Sequence, residues 1–152
     1  MHIEWQVKPY SDLSLNELYD IIALRLKVFV VEQDCVYQDL DGKDKKCYHL
    51  FCRDGKGNLS ATARILHPGI SYPEVSIGRV AVDESMRGKA IGYELIKKCK
   101  EFIVEEFGDV SISISAQKHL EHFYETHEFK SVGKEYLEDG IPHVEMKYTG
   151  KK

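Results

Sequence analysis

No stretch of this 152-residue chain is apolar enough for a membrane-spanning helix: its longest apolar run, Val28 to Val31, falls far short of the ~20 residues one needs. The opening MHIEWQVKPY lacks a basic segment followed by an apolar one, so secretion is not expected. Cysteine is scarce, with only Cys35, Cys47, Cys52 and Cys99. Cys47 and Cys52 lie five apart in a strand-like run, which turns them to opposite faces of a sheet and argues against a shared metal. Reduced thiols in a cytoplasmic protein are the expectation. A basic excess is also missing: 21 Lys and Arg stand against 25 Asp and Glu, for a formal charge of −4. No global field therefore favours nucleic acid or an anionic membrane, and any anion site must be local. No internal repeat, low-complexity tract or compositional shift divides the chain, so residues 1–152 read as one domain. With 43% hydrophobic and 30% charged residues the composition is that of a globular protein. A chain of this size buries roughly 70% of its unfolded surface and needs no disulfide or metal to hold its core.

What is present is an alternation of strand and helix patterns. Ile3, Trp5 and Val7 alternate with Glu4, Gln6 and Lys8 as a first strand that Pro9 ends. Ser14 to Glu17 is a capping-box pattern, followed at helical spacing by Leu15, Leu18, Ile22, Leu26 and Phe29, which predicts a helix to about residue 30. Residues 33–46 are polar and acidic loop chemistry. Residues 46–53 and 59–66 form a hairpin around Asp54 to Asn58, and residues 75–82 a fourth strand in which Gly78 marks a bulge or a close backbone approach. An amphipathic helix buries Ile91, Leu95, Ile96, Cys99, Phe102, Ile103 and Phe107, and Gly108 stops it. A fifth strand over 110–115, a short helix over 119–127 and two last strands around Glu138-Asp139-Gly140 complete the order β-α-β-β-β-α-β-α-β-β.

The segment Arg87-Gly88-Lys89-Ala90-Ile91-Gly92 follows a strand and opens the long helix. A helix start offers unpaired N–H groups and a positive dipole end, and glycines let a pyrophosphate approach the backbone. The segment is neither a Walker A loop nor a G-x-G-x-x-G fingerprint. It reads either as a phosphate cradle or as a glycine-containing helix entry with no ligand.

Val80-Ala81-Val82 followed by Arg87-x-x-Ala90-x-Gly92 resembles the Q/R-x-x-G-x-G/A pyrophosphate loop of GNAT-type N-acetyltransferases, with Ala90 in place of the first loop glycine. Ala116-Gln117 and then Phe123-Tyr124-Glu125-Thr126-His127-Glu128-Phe129 is similar to that family's F-Y-x-x-x-G-F segment, with Glu128 in place of glycine. Longer strings, among them residues 25–33, 37–42, 77–80 and 138–143, look like its ElaA subgroup, so the resemblance spans nearly the whole chain. It implies an α/β acyl-CoA N-acyltransferase fold: a central mixed, mostly antiparallel sheet with flanking helices, split between the fourth and fifth strands. It implies acetyl-CoA as acyl donor, no metal, and direct attack by a primary amine of a small molecule or a protein. The cofactor-binding residues would be Val80, Ala81, Val82, Arg87, Gly88, Lys89, Ala90, Ile91, Gly92, Gln117 and Tyr124. A backbone N–H near Val80 would stabilise the oxyanion.

Tyr124 is by pattern a core aromatic, but thioester cleavage releases a thiolate of reference pKa ~8.5 that a phenol at ~10 can protonate. The resemblance assigns it that catalytic role. The amine must lose a proton, for which Glu32, His49, His143, Glu145 or a water chain are candidates; Glu32 and His143 are taken forward. Arg25, Glu32 and Gln33 read equally as an ion-pair and cap network or as substrate ligands. His119 and His122 share a helical face but lack the companions of a metal site. Asp34, Asp39, Asp41 and Asp44 concentrate negative charge that would steer a cationic acceptor. The competing readings are an acyltransferase with a longer acyl-CoA or carrier-bound donor, and a non-catalytic acyl-CoA-binding module. The sequence leaves a homodimer open.

Overall fold

Ser14 starts the first helix as its pattern predicts: its hydroxyl accepts the Glu17 N–H at 3.0 Å while the Glu17 carboxylate accepts the Ser14 N–H at 2.8 Å. In the computed structural model, which describes residues 3–150, this helix is α1, Leu15–Leu26. It does not continue in α geometry to residue 30. Lys27–Glu32 opens into a π-helical turn, where Val28, Val30 and Val31 bring β-branched crowding that a tight α turn accommodates poorly. The wider turn ends at Gln33, which with Phe29 reaches the cleft described below.

Seven strands form one sheet: β1 Glu4–Pro9, β2 Cys47–Arg53, β3 Leu59–Leu66, β4 Val75–Val82, β5 Ile112–Gln117, β6 Lys130–Glu138 and β7 Ile141–Tyr148, in the order β1-β2-β3-β4-β5-β7-β6. Every neighbouring pair is antiparallel except β4 and β5, which run parallel and share only the rungs Val75↔Ile112 and Ser76↔Ser113. Beyond Ser76 the two strands part. The expected split sheet is thus present, and its cause lies in β4. Thr62 pairs with Ala81 but Arg64 with Gly78, so three steps on β4 oppose two on β3. Arg79 stands in the left-handed region at φ +49°. The bulge falls on Arg79 and Val80, just after the glycine that the sequence points to, and a bulge bends its strand.

Helix α2, Ile91–Phe107, covers one face of the sheet with Leu95, Ile96, Cys99 and Ile103 fully buried. Alternation along β3 assigns the faces: Ala61, Ala63 and Ile65 join the α2 cluster, whereas Leu24 and Val28 of the first helical segment pack on Ala81 from the other side. A 3₁₀ turn, Lys118–Leu120, precedes the short helix α3, Glu121–Glu125, where the sequence suggests a single helix. In β5 and β7 one face is core, through Ile112, Ile114, Ala116, Val144 and Met146. Ser113, Ser115, Gln117, His143, Glu145 and Lys147 alternate with them on the other face, which carries no α2 packing.

Ala90 and Glu128, the two departures from glycine, both adopt left-handed backbone, at φ +61° and +72°. A side chain there costs roughly 1–2 kcal/mol, partly offset by the greater unfolded freedom of glycine. The Glu128 carboxylate meets Lys100 at 3.4 Å but is 68% exposed, and such pairs contribute little. Glu128→Gly is therefore expected to stabilise the fold by about 0.5–1 kcal/mol in urea denaturation at unchanged slope. A neutral or destabilising result would mean that the Glu128 side chain makes up for its backbone.

Candidate active site

After β4, the Asp83 side chain accepts the Ser85 N–H at 3.1 Å and caps a 3₁₀ turn, Glu84–Met86, whose Met86 is buried. The chain then passes Gly88 at φ +80° and Ala90 in the left-handed region before entering α2. Among the described residues, none of the amides from Gly88 to Tyr93 donates to a turn or capping acceptor, and the N-cap Ala90 has no side chain to supply one. The result is a run of aimed N–H groups at the positive end of a 17-residue helix, a cradle suited to a phosphate. Arg87 fixes its near edge, donating to the Val82 carbonyl at 3.2 and 3.0 Å and pairing with Glu32 at 2.7 Å. Lys27 pairs with Asp83 at 2.7 Å, a second tie between the π-helical turn and this loop.

From this loop a cleft runs through the split in three adjoining chambers. The chamber next to the cradle, about 470 Å³, is lined mainly by Val28, Phe29, Val80, Val82, Leu120 and Phe123. A narrow waist of about 100 Å³ shares Tyr124, Gln33 and Gln117 with it. The far chamber, about 540 Å³, shares Arg79, Ser115 and Glu138 with the waist and adds Tyr72, Tyr136 and Glu145. Gln33 Nε2 donates to Gln117 Oε1 at 3.2 Å, bridging the π-helical turn to the end of β5.

Tyr124 is at once the core aromatic and a cleft residue. Its ring packs edge-on against Phe123 and Phe129, and it lines both the first chamber and the waist. Burial, with the Cys99 thiol nearby, pushes its phenol well above the ordinary tyrosine range, so it is a proton-bearing donor at neutral pH. The hydroxyl makes no hydrogen bond to protein among the described residues. His143 lines the waist from β7, its Nδ1 2.7 Å from the Ile141 carbonyl and its Nε2 3.5 Å from Glu138 Oε2.

Of the other sequence candidates, Val80 and Val82 face the first chamber, and neither Arg79 nor Val80 takes a rung on β3. The Ala81 side chain is buried against Leu24 and Val28, so only its backbone could meet a ligand. Ile91 is likewise core beneath the loop, while Gly88 and Lys89 are exposed on it. Glu32 lines the first chamber but is engaged by Arg87. His49 is not at the cleft: it is buried in β2 with Nε2 2.8 Å from the Asp44 carbonyl, and burial lowers its basicity. Its part is structural. Among the described residues no three His, Cys, Asp or Glu side chains converge as a metal site. Ser115, Tyr136, Glu138 and Tyr72 were missed, although the alternation Ile112-Ser113-Ile114-Ser115-Ala116-Gln117 announces a polar face on a central strand.

The acidic loop does not form the steering patch its composition suggests. Arg25 pairs with Asp39 at 3.0 Å, Asp39 with Arg79 at 2.9 Å, Arg79 with Asp41 at 3.5 Å, Asp41 with Arg64 at 2.7 Å, Arg64 with Asp44 at 3.1 Å, and Asp44 with Arg25 at 2.7 Å. Three arginines and three aspartates thus alternate in a closed ring with no net charge. The Arg64 guanidinium holds the Asp41 carboxyl well below the usual range; for Asp44, burial pulls upward but Arg25 and Arg64 outweigh it. Arg25, 1% exposed, belongs to this ring and contacts no cleft.

Residues 10–150 match the family model described as an acetyltransferase (GNAT) domain. The protein ElaA of Escherichia coli is 42% identical over 145 residues, 95% of each chain, and its crystal structure superposes with a TM-score of 0.89 over 96% of this chain and 99% of that one. An acyl-CoA N-acyltransferase from Pseudomonas aeruginosa superposes with a TM-score of 0.92 at 37% identity, covering 97% of this chain and all of that one. A UPF0039 protein of Synechocystis is 40% identical over 146 residues, 96% of this chain and 95% of its own.

Asp39 joins two arginines from different elements, so Asp39→Asn keeps the shape and leaves both guanidinium groups short of a counter-charge. Breaking a buried pair in this way typically costs about 3–5 kcal/mol, and that loss is expected in urea denaturation. A loss below about 1 kcal/mol would show that the ring closes without Asp39 and that the bulge is held by backbone alone.

Proposed function

The chain belongs to the GNAT acetyltransferase family, and on that premise we propose that it transfers an acetyl group from acetyl-CoA to a primary amine by direct attack, without a covalent enzyme intermediate. The observation that carries this reading is the continuous order along one cleft: acceptor-less amides, an apolar chamber, Tyr124 at the waist, and a polar chamber beyond. Acyl-CoA enters the argument as a co-substrate whose parts match these segments in sequence. The amides from Gly88 to Tyr93, with Arg87 at their edge, bind the pyrophosphate. Val80 and Val82 line the path of the pantetheine arm, and Gln117 closes it from β5. At the bulge, where the ladder is interrupted, a backbone N–H is positioned to donate to the developing oxyanion.

Proton accounting fixes the remaining roles. An ammonium R–NH₃⁺ that becomes an amide R–NH–CO–CH₃ sheds two protons, one to the departing thiolate and one to solvent. Tyr124 supplies the first and regains it from the amine side; burial raises the phenol pKa, so the transfer depends on the amine-side proton replacing the one given up, and no free phenolate accumulates. His143 is the better candidate for the second, because Glu32 is held by Arg87. The left-handed geometry of Ala90 and Glu128 keeps the backbone that glycine would adopt there, which favours a working enzyme over a degenerate binding module. Four free cysteines fit a reducing compartment, and we assign the enzyme to the cytoplasm.

Two variants test the reading. A Cβ at Gly92 would lie 3.8 Å from Val82 Cγ2 and 3.9 Å from Phe123 Cζ, ordinary contacts, and an acidic group suits a helix N-terminus. Gly92→Asp should therefore fold normally yet bind CoA at least about tenfold more weakly in calorimetry, through charge repulsion with the pyrophosphate. Unchanged affinity would remove the loop from the site. Tyr124→Phe should retain CoA binding and lose about 10²–10⁴ in kcat on an established amine. Near-wild-type kcat between about pH 6 and 9 would return Tyr124 to a packing role and leave water to protonate the thiolate.

A further inference from the structure

On the far side of Tyr124 an imidazole nitrogen faces a carboxylate. His143 Nδ1 lies 2.7 Å from the Ile141 carbonyl, which can only accept, so Nδ1 carries a proton and Nε2 is the nitrogen left to meet a partner in the cleft. That nitrogen is 3.5 Å from Glu138 Oε2. The ring cannot turn away freely: it is 6% exposed and stacks on Tyr136 with centroids 6.1 Å apart. Glu138 is oriented as well, its Oε1 accepting from the Ser115 hydroxyl at 3.3 Å, and Ser115 is bonded in turn to the Tyr136 hydroxyl. Among the described residues no lysine or arginine pairs with Glu138. The cleft thus holds a carboxylate and a basic nitrogen side by side, both within reach of one ammonium group.

We propose that Glu138 is a catalytic residue and that it and His143 together receive the primary ammonium of the acceptor, Glu138 binding the charge and His143 taking the proton. The proposal rests on the acetyl-transfer reading and adds the residue that reading leaves open. Reference basicities decide the division of labour: a primary alkylamine lies about four units above imidazole but about six above a carboxylate, so proton transfer to imidazole is the less uphill step. In that step one N–H bond of R–NH₃⁺ breaks and an Nε2–H bond forms. The amine becomes neutral with its lone pair free, and the positive charge passes to the imidazolium beside the Glu138 carboxylate. The second amine proton leaves after the C–N bond forms, by way of Tyr124 to the thiolate. The titratable and charged groups facing His143 are Tyr136, Glu138 and Asp139 of the β6–β7 hairpin, Cys35 and Tyr37 of the loop after α1, Arg79 of β4, and Tyr124. Arg79 is taken by Asp39, which leaves Glu138 as the charge in contact with the ring.

The test pairs Glu138→Gln with a binding measurement that needs no turnover. In nitrogen-15 spectra the His143 Nε2 resonance of the wild type should move on titration with n-butylammonium and not with tetramethylammonium, which has no N–H donor. In Glu138→Gln the n-butylammonium response should be lost. In turnover the same variant should raise KM for the amine, lower kcat by about 10²-fold and leave CoA affinity unchanged. An Nε2 resonance indifferent to n-butylammonium overturns the proposal. So does a Glu138→Gln enzyme with kcat and KM within about twofold of wild type while acetyl transfer itself proceeds. A wild type that shows the n-butylammonium response yet acetylates no amine upholds the ammonium site and refutes the reaction assigned to it.

Discussion

The structure depends on a closed ring of three arginines and three aspartates set against the sheet. Its members come from four places: Arg25 from α1, Arg64 from β3, Arg79 from the β4 bulge, and Asp39, Asp41 and Asp44 from the loop between α1 and β2. Four of the six, Arg25, Asp39, Asp44 and Arg64, are buried, which is expensive, and apolar residues of the same volume often stabilise a fold as well or better. What apolar residues could not supply is direction. Each guanidinium here bridges two carboxylates, so moving one element breaks bonds to two others, and the loop has no regular structure beyond the short 3₁₀ turn Lys43–Lys46 to hold it otherwise.

That constraint reaches the cleft through Arg79. A left-handed residue other than glycine in mid-strand is strained, and it persists only where its surroundings over-determine it. The Arg79 side chain is held by Asp39 Oδ1 at 2.9 Å and by the Asp39 carbonyl at 2.9 Å, with the Tyr37 ring 5.7 Å beneath. With Arg79 fixed, β4 bends after two rungs with β5, and the gap between them becomes the cleft. The same bend sets Val80 and Val82 along the first chamber and removes Arg79 and Val80 from the β3 ladder. One bulge therefore both opens the cleft and frees backbone of β4 from the β3 ladder, the two features on which the proposed acyl transfer rests.

The fold was legible where local chemistry and tertiary structure agree. The bounds of β3, β4 and α2, the Ser14 cap and the Gly108 stop follow from period and punctuation, because each strand or helix there buries a face that its own sequence repeats. The Arg87–Gly92 loop was legible as a strand-to-helix turn because a helix start is marked by composition and position. Side-chain partnerships were not. Asp39, Asp41 and Asp44 look like a solvated acidic loop until the sheet brings Arg64 and Arg79 beside them, across 23 and 40 residues respectively for the pairs with Asp41 and Asp39. Glu138 was likewise invisible as a site residue, since a Glu-Asp-Gly hairpin turn fully explains its presence and only the pairing of β7 with β5 sets it beside Ser115.

The location of uncompensated charge follows from these two facts. The acidic loop spends Asp39, Asp41 and Asp44 on arginines, and its Lys43, donating to Ser71 Oγ at 2.9 Å, lines the far chamber beside them, so this wall presents no negative field. On the opposite wall Glu138, Asp139 and Glu145 face the chamber, and among the described residues none of them is paired with lysine or arginine. Attraction for a cation thus moves from the loop after α1 to the β6–β7 side, where the charge lies within reach of His143 and Tyr124. Glu138 and Asp139 remain open to solvent, so their pull on a cation is a short-range one, exerted at the mouth of the chamber. The ring beside β3 and β4 accordingly neutralises its charge to hold a shape, whereas Glu138, Asp139 and Glu145 stand on the other wall with no lysine or arginine paired to them among the described residues.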